Sequence, residues 1–203
     1  MSFKDNFKKG QIGESLIARW LKRHHYHVLP VYEVEMDTGK GPRLFSPQQQ
    51  LIAPDMLAFT DKKTIWIEAK HKTAFSLYRK TGQWTTGIDL RHYRDYCEVD
   101  DTTPFDVWLL FLQQGGHAKD SPETSPSGLY GNKLEYLREH EDHRSDKWGA
   151  SGMVYWSIHA LKKLDSLERV YGNIAPTQLS LSVEKHGRSG HSTNLIEKTL
   201  KTA

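Results

Sequence analysis

The feature that most constrains this chain is the stretch from Leu51 to Lys72, LIAPDMLAFTDKKTIWIEAKHK. Leu51 to Phe59 and Thr64 to Ala69 are rich in apolar and β-branched residues, and each has the length of an ordinary strand. Between them Asp61, Lys62 and Lys63 supply turn chemistry, so the pattern predicts a hairpin. Side chains alternate along a strand, which puts Trp66, Glu68 and Lys70 on one face and Ile65, Ile67 and Ala69 on the other. If Asp61 and Lys62 form a tight loop, Asp55 falls opposite Glu68, with Cβ atoms roughly 4.5 to 5.5 Å apart. A slip of one residue would turn Asp55 to the wrong face.

Two adjacent carboxylates repel unless a cation lies between them, and hard oxygen ligands with room for water suit Mg²⁺ or Mn²⁺. Lys70 beside them can orient or deprotonate a water, or stabilise charge developing on a phosphate. The same residues also suit a solvated strand face carrying an Asp/Glu/Lys ion pair.

Upstream, Ile12, Leu16, Ile17, Trp20 and Leu21 recur at helical spacing within Phe7 to Tyr26, an amphipathic helix interrupted by Gly10 and Gly13. Glu14 lies at the border of its apolar stripe, placed equally well for a surface charge or for the site. His24, His25 and His27 read as a polar helix terminus, because no second ligand pair accompanies them. Val28 to Met36 can be a first strand, and Asp37 to Gln50 is a loop on which Lys40 and Arg43 could meet a phosphodiester backbone.

The motif Pro54-Asp55, then Glu68-Ala69-Lys70, with Gly13-Glu14 in an N-terminal helix, resembles the PD-(D/E)XK nuclease superfamily, which includes restriction enzymes and Holliday-junction resolvases. The resemblance covers roughly Asn6 to Leu112, with an extension from Met153 to Leu164. It implies an α/β, restriction-endonuclease-like αβββαβ core: a central mixed sheet flanked by helices. It further implies Mg²⁺ or Mn²⁺ held by Asp55, Glu68 and the Ala69 carbonyl, Lys70 orienting the attacking water, and Glu14 as an outer metal or water ligand. Gln83 is followed four residues later by Gly87, a departure from the Gln-x-x-x-Tyr pattern of the exonuclease branch.

After Lys70, basic residues (Lys72, Arg79, Lys80, Arg91, Arg94) alternate with aromatics (Phe75, Tyr78, Trp84, Tyr93, Tyr96). That mixture can neutralise phosphates and stack on bases, with about half of the aromatics expected in the core. Lys72, Arg91, Tyr93 and Arg43 are the candidate nucleic-acid contacts. Ile88 to Val99 reads as a helix introduced by Thr85, Thr86 and Gly87, and Phe105 to Gln113 as a central strand covered on both faces. Gly115 to Ser151 reads as a polar insertion with one helical patch near Leu134 to Glu141, where His140 and His143 suit a solvated face better than a metal. Met153 to Ile158 is a short strand, and Leu161, Leu164 and Leu167 form a helical stripe.

These elements make one nuclease-like domain over residues 1–175, with the insertion at 115–151 and a polar C-terminal extension at 176–203. A formal charge of +3 permits a polyanionic partner without requiring one. Cys97, the sole cysteine, fits a reducing compartment, and no apolar run is long enough to span a bilayer, so a soluble cytoplasmic protein is expected. The leading expectation is a metal-dependent nuclease acting on nucleic acid, as a DNA endonuclease of processing, recombination, repair or restriction. Cutting both strands would favour a homodimer or sequential nicking. The alternative is a non-catalytic nucleic-acid-binding or assembly subunit with the same fold. No phosphate loop, Gly-x-Ser-x-Gly elbow or cysteine pair supports a different chemistry.

Overall fold

The computed structural model describes residues 3–31, 42–118, 121 and 123–172. Met1–Val170 forms one compact unit; of the second, Tyr171–Ala203, everything past Gly172 lies outside the described residues, as do residues 32–36 of the expected first strand and 37–41 of the expected loop, Lys40 among them.

Helix α1 (Phe3–Arg23) leads into β1 (His27–Pro30), then β2 (Arg43–Phe45), β3 (Gln50–Ile52), β4 (Met56–Phe59) and β5 (Thr64–Lys72). Strands β6 (Ser76–Tyr78) and β7 (Gln83–Asp89) precede α2 (Leu90–Thr102) and β8 (Val107–Gln113). The chain continues through β9 (Gly128–Lys133), α3 (Leu134–Glu139), β10 (His143–Ser145), β11 (Met153–Ser157), β12 (Lys162–Asp165) and α4 (Leu167–Tyr171). A six-stranded sheet runs β1-β4-β5-β8-β9-β12, with β5 and β8 parallel and the other neighbours antiparallel. The succession α1, β1, β4, β5, α2, β8 is the αβββαβ order of the expected core, a mixed sheet with helices packed against it.

The hairpin register follows from its turn. Met56 faces Ile67, Leu57 faces Trp66 and Phe59 faces Thr64, as a loop of Asp61 and Lys62 demands; the Thr60 N–H donates to the Lys63 carbonyl at 2.8 Å to close it. The expected single strand Leu51 to Phe59 is instead split into β3 and β4. Pro54 is the reason: without an N–H it cannot continue a ladder, and the chain turns from the β2 hairpin into the main sheet at this point.

One face of the sheet is covered by α1, whose Leu16, Ile17 and Leu21 are buried. Gly13 allows the close approach, since a Cβ there would sit 2.5 Å from the Cβ of His71 on β5. The other face packs Val107, Leu109 and Phe111 against Tyr93, Tyr96 and Val99 of α2 and against Ile88, Val154 and Trp156 of a second sheet. That sheet, ordered β10-β11-β7-β6, is strongly curled. Strands three places apart would lie about 14 Å apart if flat, yet His143 on β10 stacks on Tyr78 of β6 with centroids 3.8 Å apart, and on Tyr155 of β11 at 4.5 Å.

Three expectations are corrected. Gln83–Asp89 is strand β7 and not a helix lead-in; Asp89, whose Oδ1 accepts from the Arg91 N–H at 3.0 Å, starts α2 later. The leucine stripe at 161, 164 and 167 is not one helix, because residues 162–165 pair with the open edge of β9 as β12. The stretch 115–151 is polar at its ends but supplies β9 and the buried Leu134 and Leu137 of α3. Its small, polar sequence hides the strand, since Gly131 is what lets β9 lie close on β8: a Cβ there would meet the Leu109 carbonyl at 2.6 Å.

Gly131→Val is therefore expected to destabilise the protein by about 1 to 3 kcal/mol through overpacking between β8 and β9, read as a lowered midpoint in urea unfolding. An unchanged midpoint would mean that β9 is no part of the core.

Candidate active site

β4 starts at Met56, opposite Ile67, while β5 runs on to Lys72, so the β4-side edge of β5 continues past its partner. The vacancy in the ladder is filled by a side chain: Asp55 Oδ2 accepts from the Ala69 N–H at 2.8 Å. In an extended strand the N–H and C=O of one residue leave on the same side, so the Ala69 carbonyl opens toward this notch as well.

Glu68 is 0% exposed, and neither of its oxygens accepts a hydrogen bond of ordinary geometry. Its compensation is an ion pair with the Lys70 ammonium, which keeps 28% of its side chain open to solvent and so connects the buried carboxylate to the surface. Burial opposes the charge on Lys70, but Glu68 and Asp55 outweigh it and hold the ammonium well above the usual lysine range. Lys70 is thus a fixed cation in the metal-free protein.

The carboxylates respond in the opposite sense. Burial, then the charge of Glu68, pushes Asp55 up to about 7, against the pull of Lys70 and the Ala69 N–H. Glu14 on α1 is also pushed up to about 7, by burial first and by Asp55 second, with Lys70 pulling it down. Helix α1, the start of β4 and the middle of β5 therefore bring Glu14, Asp55, Glu68 and Lys70 into one electrostatic group. The unsatisfied Glu68 oxygens and two carboxyls that resist ionisation suit a divalent cation, which would supply the missing positive charge. Among the described residues no group of three or more His, Cys, Asp or Glu side chains forms a ready cage; a hard cation that keeps several waters needs only one or two carboxylates.

Two α2 residues not singled out from spacing as part of this site lie against the same group. The Tyr96 phenol, fully buried, is held well above its ordinary range by burial and then by Glu68 and Asp55. His92, one turn earlier with its ring 6.1 Å from that of Tyr96, is pulled down by burial and by the Lys70 charge. Their separation of four is a helical-face signal, but it points to the site only once the packing of α2 is known. Asp95 on the same helix anchors β3 by accepting from the Ile52 N–H at 3.0 Å.

No protein-family model matches the sequence, and no curated protein does. The chain is similar to two solved nucleases. The Holliday junction resolvase Hjc of Archaeoglobus fulgidus matches with a TM-score of 0.43 and 10% identity, over 74% of this chain and 90% of that one. A nuclease from a fusselovirus matches with a TM-score of 0.36 and 9% identity, over 73% of this chain and 78% of that one.

The candidate nucleic-acid contacts fare unevenly. Lys72 ends β5 on the face of Glu68 and Lys70, and Arg91 is exposed in the first turn of α2. Arg43 lies across from Ile52 on the β2–β3 hairpin. Tyr93 is corrected: it is 5% exposed in the core, its hydroxyl donating to Glu141 and its ring against Trp156, because it shares the inward face of α2 with Tyr96. Phe75 and Tyr96 are buried with it, while Tyr78 and Trp84 are half-buried. Among the other residues weighed for metal, His140 binds the Tyr136 carbonyl and His143 pairs with Asp142. No helix is long and apolar enough to cross a membrane among the described residues.

The raised carboxyl pKa values fix the sign of a pH effect. Asp55 moves from its ordinary 3.8 to about 7 and Glu14 from 4.5 to about 7, so between these limits the unfolded chain releases protons that the folded site retains. Their contribution is favourable at low pH and is lost as pH rises toward 7, by an amount on the order of a few kcal/mol. In chelator, Asp55→Asn is expected to raise Tm at pH 8 much more than at pH 5, and Mg²⁺ to stabilise the unaltered protein mainly at pH 8. Equal Tm shifts at both pH values in thermal unfolding would show that Asp55 is not held protonated.

Proposed function

We propose that this chain is a Mg²⁺- or Mn²⁺-dependent nuclease that hydrolyses phosphodiester bonds in DNA. The observation that carries the reading is the fully buried Glu68 carboxylate beside Asp55 and Lys70, three groups close together at a break in the sheet. A merely structural ion pair needs neither Asp55 nor Glu14.

In this reading Asp55, Glu68 and the Ala69 carbonyl would hold the cation, which when bound would supply Lewis-acid polarisation and a more acidic water. Lys70 orients the attacking water and stabilises charge developing on the phosphate; as a fixed cation it does not accept the proton in the metal-free state. Glu14, titrating near neutrality, holds a water or proton at the edge of the site. Arg91 and Lys72 contact the backbone of the substrate. Tyr93 has no such role.

The test uses labelled linear, nicked and four-way DNA, each incubated with Mg²⁺ and with chelator. Cleavage is expected only with the metal, and Asp55→Asn, Glu68→Gln and Lys70→Ala are each expected to lower it by about 10²-fold or more, with circular dichroism reporting whether each variant folds. Asp55→Asn is the decisive variant, since its amide oxygen can still accept from Ala69. Cleavage retained by folded Asp55→Asn would remove the mechanism. No cleavage and no Mg²⁺ uptake in calorimetry would favour a non-catalytic binding subunit.

A further inference from the structure

Residues 146–152, between β10 and β11, form a loop bonded to the start of α2. Asp89 Oδ2 accepts from the Ala150 N–H at 3.0 Å, and Asp89 Oδ1 accepts from the Ser151 hydroxyl at 2.5 Å. Ser151 Oγ accepts in turn from the Arg91 N–H at 3.0 Å, and the Gly152 carbonyl from the Leu90 N–H at 2.9 Å. Gly149 and Gly152 take φ of +78° and +89°, conformations that other residues rarely adopt, and a Cβ at Gly149 would lie 3.0 Å from Asp89 Oδ2.

This fixed loop carries Trp148 at its tip, 65% exposed. A tryptophan held so far into solvent buries little of its apolar surface and so adds little to the fold. Its position follows from the bonds: Trp148 is two residues from Ala150, hence within about 7 Å of it along the chain. Ala150 in turn is bonded to the residue that caps α2. His92, three positions after that cap, is close enough to Lys70 to feel its charge. Lys147, next to Trp148 in the chain, and Arg91, whose N–H is bonded to the loop, are both exposed; Asp89 is occupied by the loop, while Asp146 stays exposed.

We propose that Trp148 is a base-stacking element that directs this protein to duplex DNA interrupted by an unpaired or extruded base, with Lys147 and Arg91 on the adjoining phosphates. The inference rests on the nuclease reading and adds the substrate class. In an intact duplex both faces of every base are covered by neighbours, so a single exposed indole finds a partner only where a base has left the stack, where extrusion costs least. One isolated ring with nearby cations is not the broad apolar patch that a protein or lipid partner would use. It has the composition of a single-strand stacking platform.

The experiment measures binding of the full chain, in chelator, to a duplex bearing one extruded 2-aminopurine and to its matched control, by fluorescence anisotropy. The unaltered protein is expected to bind the bulged duplex about tenfold or more tightly than the matched one and to quench the 2-aminopurine. Trp148→Ala is expected to lose most of that preference and the quenching, with matched-duplex affinity and Tm unchanged. Trp148→Phe keeps most of both. A preference that survives Trp148→Ala, or an equal loss on both duplexes, overturns the proposal while leaving the nuclease reading standing. Absence of binding to either DNA removes the nuclease reading, and this inference with it.

Discussion

A carboxylate that has left water and leans on one ammonium governs this protein. Glu68 sits in the middle of β5 with no exposure, and charge buried in that way is costly unless it is paired. Lys70 supplies the pairing, two residues along on the same face. Asp55 and Glu14 answer to what remains: each is pushed toward the neutral form, first by burial and then by the negative charge already in the group. A fold selected only for stability would place an apolar side chain at 68, since well-packed apolar residues often replace buried ion pairs at no loss. Concentrated unfavourable electrostatics inside an otherwise well-packed sheet is the pattern of a site kept for chemistry.

The gap beside that carboxylate is equally specific. Pro54 breaks the ladder one residue before Asp55, and Asp55 then occupies with its side chain the place that a backbone carbonyl would have taken on Ala69. Pro54 therefore keeps the ladder from continuing, and Asp55 next to it fills the place left open. The hairpin loop fixes the register up to the pair Met56 and Ile67, so Asp55 leaves the ladder one step beyond it, and its bond from the Ala69 N–H holds it beside Glu68.

This explains what was legible in the sequence. Hairpin, register and the alternation of Glu68 with Ala69 are local properties, readable from a tight turn and a period of two, and the central strand β8 announces itself by its apolar run. Of the second sheet only β11 is legible, as the short strand expected at Met153 to Ile158. Residues 83–89 contain Gln, two Thr and Gly, a composition that looks like a helix lead-in, and they become a strand because β6 and β11 pair on either side. β9 was hidden for a similar reason, as its glycine is there for close approach and not for a turn. Tyr93 was misassigned because alternating basic and aromatic residues do not reveal which side of α2 faces Phe111 and Trp156. His92 depends on the same unknown, and so escaped notice.

The curled sheet has a consequence of its own. Its outermost strands, β10 and β6, are the places where a foreign strand would ordinarily attach by backbone pairing. Here the rings of Tyr78, His143 and Tyr155 tie one border to the other. A small aromatic rivet thus holds the curl that brings the first and last strands of this sheet together.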